Sequence, residues 1–75
     1  MIEISKEDFT HIISRLLDNA KDAKEDHKKN ASDEFSAGLC EGYYEVLNTL
    51  QSELEIAGVD LSEIGFDIDL LKEVL

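Results

Sequence analysis

The stretch DEFSAGLCEGYYEVLNTLQSELEIAG, residues 33–58, decides how the chain folds. Within it Phe35, Leu39, Tyr43, Val46, Leu50, Leu54 and Ala57 recur at steps of four, four, three, four, four and three, the near-heptad seam of an amphipathic helix. A strand would need steps of two. Cys40, Tyr44 and Leu47 widen the seam on one flank, and Gly38, Gly42, Thr49 and Ile56 lie on the other. The apolar arc is wider than one partner helix covers, so something further must pack on it. Gly58 stands where a left-handed C-terminal cap belongs, which sets the expected helix at about 33–57.

Upstream, Phe9, Ile12, Ile13, Leu16, Leu17, Ala20 and Ala23 trace one face of a second helix. Ser5 followed by Asp8 resembles a capping box with Asp in place of Glu, and Glu7 and Asp8 suit the positive end of the helix dipole. Past Ala23 the segment KEDHKK is fully polar, but Lys21, Glu25 and Lys29 fall at i,i+4 spacing and extend the expected helix to about residue 28. Only Lys29-Asn30-Ala31-Ser32 then separates the two helices, with Asn30 or Ser32 available as a cap. So short a link makes long helices antiparallel neighbours.

Downstream, Ile64, Phe66, Ile68 and Leu70 alternate with Gly65, Asp67 and Asp69, which predicts an extended stretch. Asp67 or Asp69 would cap a short final helix through Leu71, Val74 and Leu75. Residues 1–4 alternate similarly and could pair with this tail, although so short a ladder would be marginal. Such an apolar tail belongs over the wide face of the second helix, or against another chain. The expected architecture is all-α: an antiparallel hairpin of helices at about 5–28 and 33–57 plus this tail, completed as a bundle by dimerisation.

Seventy-five residues form one small domain, and a chain of that size buries only about 60% of its unfolded surface. A disulfide, a metal or a partner subunit commonly makes up the difference. Cys40 has no cysteine to pair with, and Cys40, His11 and His27 do not have the spacing of a structural zinc site. Good helix packing or self-association remains. No apolar run is long enough for a signal peptide or a membrane span, and with a lone thiol the expected compartment is the cytoplasm.

The net charge of −11 is unevenly placed. Residues 1–30 carry six basic side chains against seven acidic ones, whereas residues 31–75 carry Lys72 alone against eleven. That second half repels phosphate backbones and argues against nucleic-acid binding. It keeps a small protein dispersed, or it meets a basic partner.

Chemistry-bearing constellations are sparse. Asp60, Ser62 and Gly65 match positions one, three and six of a calcium loop, but Ile64, Asp67 and Leu71 do not suit positions five, eight and twelve. A turn with helix-capping aspartates accounts for the segment better. Asp8 and His11 make one carboxylate-x-x-His step, yet His11 points away from the apolar stripe and bundle metal sites need two such steps. Cys40 has no cation or base at helical spacing to activate it. No Ser/His/Asp set or phosphate-cradling glycine loop is present. Neither an enzyme nor a bound cofactor is expected.

What remains is Gly38-x-x-x-Gly42, where each glycine costs about 1 kcal/mol of helix stability relative to alanine, and Tyr44 at the edge of the seam. Two such costs in one helix point to a close backbone approach, and edge tyrosines are common at interfaces. The expected function is a non-enzymatic protein–protein interaction module that self-associates as a homodimer. Its expected interaction residues are Gly38, Gly42, Tyr44, Thr49, Ile56, Phe66, Leu70, Leu71 and Val74. The alternative is an acidic inhibitor, of the immunity-protein, antitoxin or nucleic-acid-mimic kind, acting on a basic partner.

Overall fold

In a computed structural model, which describes residues 3–75, the chain is all-helical. Helix α1 spans Lys6–Lys29, α2 spans Glu34–Ile56, a single 3-10 turn covers Leu61–Ile64, and α3 spans Leu70–Val74. Both long helices lie within a residue or so of the bounds their apolar periods predict. The Ser5 side chain accepts from the Asp8 backbone N–H at 3.1 Å and starts α1. Asp33, not Asn30 or Ser32, caps α2, accepting from the Phe35 N–H at 3.1 Å.

The end of α2 forms a Schellman motif. Gly58 takes φ +85°, its N–H donates to the Glu55 carbonyl, and the Val59 N–H donates to that of Leu54 at 2.9 Å. Asp60 then starts the 3-10 turn, and Gly65 ends it with φ +69°. An L residue would be strained there. This reversal sends Phe66 inward, and Asp69 starts α3 by accepting from the Lys72 N–H.

The tail packs against both long helices and makes a three-sided core. Ile13, Leu17 and Ala20 come from α1, Leu47 from α2, and Ile64, Phe66, Leu70 and Val74 from the tail. Phe66 is 0% exposed, and its burial contributes roughly 2–3 kcal/mol. Phe66, Leu70 and Val74, expected at an interface, are instead the chain's own core. The excess arc of α2 is covered in part by the tail.

That packing also rotates α2 relative to the seam its sequence suggests. The inward face runs through Ser36, Cys40, Tyr44, Leu47 and Gln51, while Phe35, Leu39 and Val46 are exposed. The reason is non-local: with the tail on one side and α1 on the other, the flank between them is the best covered. The expected pairing of residues 1–4 with the tail falls partly on Met1 and Ile2, outside the described residues; Glu3 and Ile4 are not in a strand.

Candidate functional site

The outward face of α2 is assembled from residues that the tail and α1 leave uncovered. Phe35 is 76% exposed and Val46 64%, with Leu39 also exposed. At helical spacing they fall beside Gly38, Gly42 and Thr49, all exposed. Toward the C-terminal end Ile56 continues the strip at 80% exposure, with Glu53 as its charged interruption. From Phe35 to Gln51 the only charged residues of α2 are Glu41 and Glu45, which lie to one side of the strip.

The strip has a groove at its N-terminal half. Leu16 of α1 meets Gly38, Leu39, Gly42, Tyr43, Val46 and Leu47 of α2 around a volume of about 320 Å³. A Cβ placed on Gly38 or Gly42 would meet nothing within 4 Å, so neither glycine is needed by a neighbour inside the chain. Their lost helix propensity is not recovered within the chain's own fold. Thr49 adjoins the groove beyond Val46. Tyr44 is half-buried against the core, and Leu71, exposed on the outer side of α3, does not line the groove.

The two long helices make the molecule elongated, 43 × 22 × 20 Å. A compact chain of 8.4 kDa exposes about 4,600 Å², against the 5366 Å² here, an excess of roughly 750 Å². Its radius of gyration is 13.5 Å, where about 11 Å is usual for 75 residues.

Charge is distributed as unevenly in space as in sequence. Helix α2 carries Glu34, Glu41, Glu45, Glu53 and Glu55 and no lysine or arginine. The ion pairs among the described residues are Lys21 with Glu73 and Lys28 with Glu25, neither of them on α2. Two α1 lysines serve the tail: Lys21 pairs with Glu73, and the Lys24 ammonium donates to the Lys72 carbonyl at 2.7 Å.

The polar groups singled out by sequence take structural positions. Asp60 accepts from the Ser62 hydroxyl at 2.7 Å and from its N–H at 3.1 Å, and the hydroxyl bond foremost holds this carboxyl below the usual range. His11 is exposed; His27 lies half-buried under the interhelical turn with Nδ1 3.4 Å from Ser36 Oγ. Cys40 is buried, and its thiol donates to the Val74 carbonyl at 3.0 Å. Among the described residues no three His, Cys, Asp or Glu side chains are grouped to hold a metal ion. No helix among them is long and apolar enough to cross a membrane.

One working residue escaped the sequence reading. Gln51 donates through Nε2 to the carbonyls of Phe66 and Ile68, at 2.9 and 3.0 Å, and ties the extended tail to α2. Its signal was there: Gln51 continues the 36, 40, 44, 47 line, a polar residue on an otherwise largely apolar face. Comparison with protein-family models, with curated proteins and with solved structures finds no match for this chain.

Proposed function

We propose that this chain is a non-enzymatic protein–protein interaction module that self-associates as a homodimer through the outward face of α2. The observation that carries the reading is the exposed apolar strip of Phe35, Leu39 and Val46 around Gly38 and Gly42. The strip itself is uncharged, with Glu45 at its margin beside Val46 and Thr49, which favours an apolar counterpart. A second copy, carrying the same strip, supplies such a counterpart.

Sedimentation across a wide concentration range tests this. The expected mass rises from 8.4 kDa toward twice that value, and a Phe35→Ser, Val46→Ser double variant stays at the lower one while keeping its helical circular dichroism. A wild-type chain that remains at 8.4 kDa at millimolar concentration would remove the reading.

A second reading has its own observation. The five carboxylates of α2, none of them in an ion pair among the described residues, suit an acidic inhibitor of a basic partner. Capture of a basic protein from the native host, with affinity that falls steeply as salt rises, would favour it. Binding indifferent to salt would count against it.

A further inference from the structure

The charges that flank the apolar strip set the direction in which a second copy lies. We infer that the two copies pack antiparallel, with their α2 helices crossing at Gly42 and with Glu53 of each copy beside Lys28 and Lys29 of the other. This rests on the self-associating reading above and adds orientation and register to it.

The uncharged part of the strip runs from Phe35 to Thr49, and Gly42 is its midpoint. Centring an antiparallel pair there places Gly38 opposite Val46 of the second copy, and Phe35 opposite Thr49. Val46, large and exposed, then faces the open space above Gly38, where an added Cβ would meet nothing within 4 Å. Each copy contributes the same knob and the same hole, as a two-fold interface requires.

Electrostatics separates this arrangement from the parallel one. Glu53 is the charged residue in line with the strip, and it lies eleven residues beyond Gly42, about 16 Å along the helix. In a parallel pair it would face Glu53 of the other copy, with no cation on either α2 to offset the two charges. In the antiparallel pair the level of Glu53 is that of residue 31, in the turn just after Lys28 and Lys29. Those lysines end α1, and both are exposed. The arrangement thus brings the basic end of one hairpin to the acidic end of the other.

The test uses full-length chains with added surface cysteines, since the native Cys40 is buried and serves as a constant background. Glu53→Cys and Lys29→Cys chains, mixed and treated with a short bis-maleimide, are expected to cross-link to each other, while Glu53→Cys alone forms no cross-linked dimer. Efficient linkage of Glu53→Cys to itself, or a sedimenting dimer in which neither pair links, would overturn the orientation and leave self-association standing. A chain that never sediments as a dimer would overturn both. As a second readout, Glu53→Lys removes both symmetric contacts and is expected to weaken the dimer roughly two- to thirtyfold, the range of two exposed ion pairs, and Lys29→Glu in the same chain is expected to restore it. A parallel pair predicts tighter association for Glu53→Lys mixed with wild type, which would equally overturn the proposal.

Discussion

The Gln51 side-chain amide lies 2.9 Å from the Phe66 carbonyl, and this contact fastens the tail to the middle of α2. Phe66 sits in an extended segment with no strand beside it among the described residues, and its carbonyl takes its partner from a side chain; the Ile68 carbonyl receives the second Gln51 proton. Gln51→Leu keeps the volume and removes both donors. It is expected to cost about 2 kcal/mol, the penalty for leaving half-buried carbonyls unpaired. Urea unfolding measures it, and a change under about 0.5 kcal/mol would show that water replaces the amide at no loss.

Phe66 itself is the largest fully buried side chain. Phe66→Ala is expected to cost about 3–5 kcal/mol. A chain this short has roughly 4–11 kcal/mol in total, so the variant should be largely unfolded by mild heating, read by circular dichroism. Phe35→Ala, at 76% exposure, should leave the monomer within about 0.5 kcal/mol of wild type. The pair separates the aromatic that builds the fold from the one that does not.

The hairpin was legible because period and caps agree locally: Ser5 with Asp8, the 3.6-residue stripe of α1, and Gly58 as a left-handed stop. Which stripe of α2 turns inward was not. Phe35, Leu39 and Val46 form as regular a line as Ser36, Cys40 and Leu47, and hydropathy favours the first. The decision is made by Phe66, Leu70 and Val74, between 19 and 39 residues further along the chain, whose place depends on the reversal at Gly65. The excess width of the arc was legible, since the tail covers part of it, but the close approach that Gly38 and Gly42 suggest has no counterpart within the chain. The polar residues within the inward line, Ser36 and Gln51, were the overlooked markers: each bonds to backbone carbonyls outside its own helix's regular pattern.

Gly38 and Gly42 give opposite signs in two measurements. Nothing in the chain blocks a methyl group at either position, so Gly38→Ala with Gly42→Ala should stabilise the isolated fold by up to about 2 kcal/mol. At dilute concentration the melting temperature is expected to rise by several degrees. At high concentration the same variant should associate more weakly, because the added methyls hold the second helix away. Stabilisation without weaker association would remove the glycines from the interface.

Asp60 contributes to the acid dependence of the fold. Its carboxylate is held below its ordinary value by the Ser62 hydroxyl and N–H. Because the folded value lies below the unfolded one, its contribution is complete at neutral pH. It is lost as pH falls through the carboxylate range to the folded value. Asp60→Asn should therefore flatten the pH dependence of unfolding in that acidic window and leave its slope between pH 6 and 8 unchanged. An unaltered acid limb would show that Asp60 stays bonded in the unfolded chain or never titrates differently.

Cys40 reports on the tail from the inside. Its thiol donates to the Val74 carbonyl in the last turn of α3 and is shielded by that helix, so a thiol reagent reaches it when α3 lifts away. Modification in the native state is expected to be slow, at a rate set by the population of that opening. Gln51→Leu weakens the same docking by about 2 kcal/mol, so the rate should rise by roughly thirtyfold, since 1.4 kcal/mol is a factor of ten. The increase should appear under conditions where circular dichroism shows α1 and α2 intact. A rate unchanged by Gln51→Leu would mean that Cys40 is exposed by parting of the two long helices, and that the tail leaves only with them.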